Sequence, residues 1–138
     1  MALPRVFDSW ALLALLQNER SAAVVTGLLV DCERDRNAAL MSVVNLAEVW
    51  YSIARRKSPG EADKAIHTIH AAGIQIIGVD WPLARVAATL KSEHPIALGD
   101  SFAAALAVVR KGVVVTGDPE FKFIRHQVQV HWIGVEMP

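Results

Sequence analysis

The sequence predicts an α/β domain built on a mostly parallel sheet with helices over both faces. Short β-branched apolar runs alternate with segments of helical pattern, and clear helix start and stop signals fall between them. No repeat, linker or low-complexity stretch interrupts the alternation, so one domain spanning residues 1–138 is expected. From the N-terminus, Arg5 to Asp8 reads as a strand, and Ser9 is placed to cap a helix carrying Leu12 to Leu16. A second helix is predicted from about Arg20 to Asp35, then a buried strand from Ala39 to Val43. Asn45 is the predicted cap of a third helix, which ends in the cations Arg55, Arg56 and Lys57, the charge that suits a helix C-terminus. Ser58, Pro59 and Glu61 supply an N-cap, a first-turn proline and a capping-box acid for a fourth helix, and Gly73 stops it. Ile74 to Val79 is a strand, Asp80 caps a helix from Trp81 to about Lys91, and an alanine-rich helix covers Leu98 to Lys111. Val113 to Thr116 and Val128 to Ile133 complete the strands.

Composition narrows the function. The chain has 138 residues, 14 basic and 14 acidic, so its net charge of zero gives no overall field to attract a nucleic acid, and any such contact must be local. Hydrophobic residues make up 53% and mean hydropathy is +0.31, rich enough that part of the surface is expected to be an interface. Cys32 is the one cysteine, which excludes an internal disulfide or multi-cysteine zinc site and points to a reducing, cytoplasmic setting. The longest uncharged apolar stretch, Ser21 to Val30, falls far short of the ~18 residues a membrane span needs, and no leader pattern is visible.

Four acids fall where a predicted strand gives way to a loop or helix: Asp8 in VFDSW, Glu48 in NLAEVW, Asp100 in ALGDSF and Asp118 in VVVTGDPEF. In an open α/β sheet these positions converge on one edge crevice. Such a cluster points to metal-dependent cleavage of a phosphodiester.

Taken in order on these elements, the motifs resemble the PIN-domain nucleases, and in particular the VapC-like toxins of bacterial toxin-antitoxin pairs. The similarity spans nearly the whole chain: VFDSWALLALL resembles the family's first strand with its Asp, SVVNLAEVW its Glu-bearing helix, and LGDSFAAALA and VVVTGDPEF its later acidic motifs. The resemblance implies a three-layer α/β/α sandwich, dependence on Mg²⁺ or Mn²⁺, cleavage of single-stranded or loop RNA, and an antitoxin that blocks the site. A homodimer is also expected, from surplus apolar residues on the helices around Trp10 to Leu16 and Leu46 to Ile53.

Chemistry explains why carboxylates would be gathered. At ~5 Å and an effective dielectric of ~20, each ionised pair repels by roughly 3 kcal/mol, a cost that a hard divalent cation removes. By this reasoning Asp8 and Asp100 are the expected direct ligands, with Asp118 and Glu48 acting through water or at a second metal. Glu48 or Asp118 would orient the attacking water. Ser9, Thr116 and Asn45 are expected to support the acids through hydrogen bonds.

Each residue also has a plainer role available. Asn45 and Glu48 have a near-capping-box spacing, Asp118 before Pro119 is an ordinary turn pair, and Asp100 suits a helix N-terminus. Two further function classes are weighed: a non-cleaving PIN-like binding or regulatory module, and a phosphoreceiver, for which the strand ending at Asp80, taken as central, lacks the expected lysine partner. Asp31, Glu33 and Asp35 read as a solvated face, His67 and His70 as solvated or capping, and Arg55 to Lys57 as a helix-terminal cluster rather than a phosphate site. The tryptophans Trp10, Trp50, Trp81 and Trp132 are assigned to core or interface.

Overall fold

The structure, a computed structural model, describes residues 2–134. Its strands are β1 (Arg5–Phe7), β2 (Ala39–Ser42), β3 (Gln75–Ile77), β4 (Val113–Thr116) and β5 (Gln129–Trp132). They form one five-stranded sheet in the order β3-β2-β1-β4-β5, and every pairing is parallel. The helices are α1 (Ser9–Leu16), α2 (Ala22–Arg34), α3 (Val43–Arg56), α4 (Pro59–Ala71), α5 (Trp81–Glu93) and α6 (Leu98–Arg110), with a 3₁₀ turn at Pro119–Phe123.

Alternation along the central strands sorts the two cores. Phe7, Met41 and Val115 face α1 to α4, while their neighbours Val6, Leu40 and Val114 face α5 and α6. All six of these side chains are at most 1% exposed, so the sheet is covered on both sides and the architecture is a three-layer α/β/α sandwich. Helix α6 lies closest to the sheet, touching β1, β2 and β4. Its buried Ala103, Ala104, Ala105 and Ala107 are small enough to permit that approach.

Local signals account for most boundaries. Ser58 caps α4 by accepting from Glu61 N, Asp80 caps α5 by accepting from Leu83 N, and Gly73 follows α4 in the left-handed region at φ +83°. Two predicted caps are wrong in an instructive way. Ser9 does not cap α1: Asp8 does, accepting from Ala11 N, and Ser9 is the first helical residue. Asn45 does not cap α3 either. Ser42, the last residue of β2, accepts from Val44 N, and Asn45 lies fully buried one turn in. In both places the strand ends a residue earlier than predicted, because the chain turns directly from strand into helix. Asp80 likewise does not follow a central strand, since β3 lies at the sheet edge and β1 is central. Trp81 is 70% exposed and so is no core residue, while Trp10 packs half-buried against the α1–α4 core. No described helix is long and apolar enough to cross a membrane.

Candidate active site

The sheet order reverses at β1: β2 follows on one side, β4 returns on the other. Crossovers leave in opposite directions there, so a crevice opens beyond the carboxyl ends of β1 and β4. Asp8 follows β1, Thr116 ends β4, and Asp118 stands two residues further on. Because α6 leads into β4 through a tight turn, it runs back along the sheet and begins at the same edge, carrying Asp100 in its first turn. Helix α3 leaves the end of β2 and brings Glu48 on its second turn.

A hydroxyl ties two of these acids together. Thr116 Oγ1 donates a short hydrogen bond to Asp8 Oδ2 and accepts from the Asp118 backbone N at 3.0 Å. Asp8 Oδ1 accepts from Ala11 N at 2.9 Å. Burial raises the Asp8 pKa to about 7, the nearby charges of Asp118 and Glu48 add to the rise, and the Thr116 and Ala11 hydrogen bonds partly offset it. Asp100 is pushed well above the usual carboxylate range, first by burial and then by the charges of Asp118 and Asp8, and it shares a hydrogen bond with Asp118. Its Oδ2 is buried with no hydrogen-bond partner.

Glu48 is fixed from two sides. Ser9 Oγ donates to Glu48 Oε1 at 3.1 Å and Asn45 Nδ2 donates to the same oxygen at 2.8 Å. Asn45 Nδ2 also donates to Gly99 O at 3.1 Å, linking α3 to the start of α6. The carboxylate lies so close to Gly99 that a Cβ there would sit 2.3 Å from either oxygen, so any larger residue would push the Glu48 carboxylate out of place. Gly117 is constrained in the same way, since a Cβ would stand 2.3 Å from the Trp10 ring.

All seven residues expected from the sequence therefore border this one edge, Ser9, Asn45 and Thr116 through hydrogen bonds to the acids. The closest grouping differs from the expected ligand pair. Asp100, Asp118 and Glu120 each offer an oxygen within 4.8 Å of the others, while Asp8 lies near enough to act on Asp100 and Glu48 near enough to act on Asp8. Glu120 was not anticipated. The signal was available in Asp118-Pro119-Glu120: the proline starts the 3₁₀ turn, Asp118 Oδ1 accepts from Glu120 N at 3.0 Å, and the tight turn holds the second acid beside the first. An all-oxygen donor set, drawn together despite mutual repulsion and including an unpartnered buried Asp100 Oδ2, fits a hard divalent cation such as Mg²⁺ or Mn²⁺.

The fold and the carboxylate crevice define the class: a parallel α/β protein with an acidic site at its topological switch point. The PIN domain family model matches residues 5–126, most of the chain, so the protein belongs to the PIN-domain family, the nuclease family its motifs resemble. No curated protein sequence matches the chain at a significant level. Solved structures share the fold. VapBC2 from Rickettsia felis, bound to a DNA fragment from its promoter, aligns with TM-score 0.72 at 18% identity over 94% of this chain and 98% of that one. A toxin-antitoxin complex from Klebsiella pneumoniae aligns with TM-score 0.64 at 19% identity over 92% and 95%. Mycobacterium tuberculosis VapC20, a Sarcin-Ricin loop cleaving toxin, aligns with TM-score 0.67 at 14% identity over 86% and 92%.

Proposed function

We propose that this PIN domain is a Mg²⁺- or Mn²⁺-dependent endoribonuclease that cuts single-stranded or loop RNA, and that it is the toxin of a toxin-antitoxin pair. The observation that carries the reading is the convergence of Asp100, Asp118 and Glu120 within 4.8 Å beside buried Asp8. Such a cluster is costly without a cation. The likeness to VapC20 and to toxin-antitoxin complexes favours RNA as substrate and an antitoxin as partner.

In this reading Asp100, Asp118 and Glu120 hold the cation, with Asp8 completing its surroundings. A bound divalent cation would neutralise charge on the scissile phosphate and acidify the attacking water. The protein's own groups do the positioning. Thr116 fixes Asp8 and, through the Asp118 amide, the start of the 3₁₀ turn. Ser9 and Asn45 engage Glu48 Oε1, while Oε2 accepts from no described residue and serves to orient the water or take its proton. The buried side chains beneath the acids exclude solvent and strengthen these interactions.

The protein is also proposed to act in the cytoplasm and to dimerise through the α1 and α3 side, where Val43, Trp50 and Tyr51 are 36–44% exposed. Expression in a bacterium without the antitoxin tests the reading. Growth arrest with accumulating RNA fragments is expected for the wild type and neither for Asp100→Asn. Equal toxicity of the two would reject a nuclease mechanism.

A further inference from the structure

The acidic crevice repels the substrate proposed for it. RNA is a polyanion, the protein has no net charge, and its site gathers Asp8, Glu48, Asp100, Asp118 and Glu120 at one edge. A bound divalent cation would offset this only at the scissile phosphate, so attraction for the rest of the strand must come from cations elsewhere, close enough that one molecule reaches both places.

Such a place lies at the far ends of the two helices that leave the crevice. Helix α1 begins beside Asp8 and ends after eight residues at Leu16, while α3 carries Glu48 and reaches Arg56 eight residues later. At 1.5 Å per residue each path covers about 12 Å. Both paths end on one cleft of about 170 Å³, walled by Leu16, Ile53 and Ala65 and ringed by the cations Arg56, Lys57 and Lys64, with Glu61 the one carboxylate in its lining. Lys64 is paired with Glu61 at 3.2 Å, but neither Arg56 nor Lys57 has a carboxylate partner among the described residues. Both are exposed. Helix α4 starts alongside, adding the partial positive charge of its N-terminus.

Cations at the end of α3 also complement that helix's dipole. Arg55 is turned back over the Tyr51 ring at 5.1 Å, which leaves Arg56 and Lys57 as the cations at this end that line the cleft. The dipole does not explain why Lys64, from a different helix, joins Arg56 and Lys57 around one concave site.

We infer that the α1–α3–α4 cleft is a phosphate subsite, in which Arg56 and Lys57, supported by Lys64, hold a backbone phosphate of the RNA strand a few nucleotides from the bond to be cut. This rests on the ribonuclease reading. The subsite recognises charge and not base, so it contributes affinity for any single strand and lets the crevice remain acidic without losing its substrate.

Fluorescence anisotropy tests this with a labelled single-stranded RNA long enough to span crevice and cleft. The Asp100→Asn protein with Mg²⁺ keeps the RNA intact. Adding Arg56→Ala or Lys57→Ala should raise Kd by about fivefold at low salt, and each should flatten the plot of log affinity against log salt by about 0.7, the share of one phosphate contact on a single strand. Arg56→Lys should restore the slope. Arg34→Ala, which removes a cation paired with Asp31 and Asp35 on α2, should change nothing. If Asp100→Asn binds RNA but the cleft variants leave affinity and slope untouched, the subsite is refuted and the ribonuclease reading stands. If it binds no RNA at all, both fall. If the variants weaken polyglutamate binding and leave RNA binding intact, the cleft serves an acidic protein partner and the inference is overturned.

Discussion

Replacing Asp100 with Asn should make the metal-free protein more stable and insensitive to metal. Asp100, Asp118 and Glu120 lie within 4.8 Å of one another, and at an effective dielectric of about 20 each ionised pair at that distance costs roughly 3 kcal/mol. The protein relieves part of this by keeping a proton on Asp100, whose pKa is raised by burial and by Asp118 and Asp8. Because the folded pKa lies above the unfolded one, the folded form holds a proton that the unfolded chain releases above about pH 4. Stability is therefore lost as pH rises towards the folded pKa. Asparagine has nothing to ionise, and its amide can donate to Asp118 as the protonated acid does. The gain in EDTA at pH 8 should be about 1–3 kcal/mol after solvent screening at the open side of the crevice, or roughly 3–10 °C in Tm for a domain of this size. It should shrink at pH 5. Magnesium at a hundred times its Kd would add about 2.7 kcal/mol to the wild type and little to the variant. Scanning calorimetry with and without metal reads both effects, with the exposed Glu33→Gln on α2 as control. If Asp100→Asn lowers Tm in EDTA and keeps the full metal response, Asp100 is only a favourable acid in the first turn of α6, and the cluster argument fails.

Other consequences follow from the same geometry. Asp8 has a folded pKa of about 7 against an ordinary 3.8, so metal-free stability should decline between pH 4 and 7 while metal affinity climbs over the same range; thermal melts in EDTA and Mn²⁺ titrations across pH check the two halves. Gly99→Ala places a methyl against Glu48 and should cut cleavage at least about tenfold with little change in Tm, since the flexible end of Glu48 can yield; an equal loss of stability would mean that the backbone moves instead. Thr116→Val strands the Asp118 amide and one Asp8 oxygen, and should cost about 1–3 kcal/mol in urea unfolding as well as activity. Sedimentation should show a dimer at micromolar concentration, and a strict monomer there would remove the proposed α1–α3 interface.

What the sequence revealed follows from how local each signal is. The strands, the helices and the convergence of Asp8, Glu48, Asp100 and Asp118 could be read from period, caps and the rule that strand ends meet at one edge. The caps of α1 and α3 could not. Ser9 and Asn45 are good capping residues, but Asp8 and Ser42 precede them; Ser9 instead bonds Glu48 across the fold, and Asn45 bonds Glu48 within α3 and Gly99 O on α6. Glu120 was legible in the local Asp118-Pro119-Glu120 turn but went unread, whereas the close approach of Glu48 to Gly99 comes from another helix. The union of Arg56, Lys57 and Lys64 around one cleft likewise requires the packing of α3 on α4, which no helical period encodes.

The most direct measurement is the fate of a defined single-stranded RNA incubated with the purified protein. With millimolar Mg²⁺ or Mn²⁺ the wild type should release discrete fragments. Excess EDTA should abolish cleavage and renewed metal should restore it, while Asp8→Asn, Asp100→Asn, Asp118→Asn and Glu120→Gln should fold and stay at least about a hundredfold slower. Cleavage that persists in EDTA, or that survives all four substitutions, would contradict the assignment of phosphodiester chemistry to this crevice.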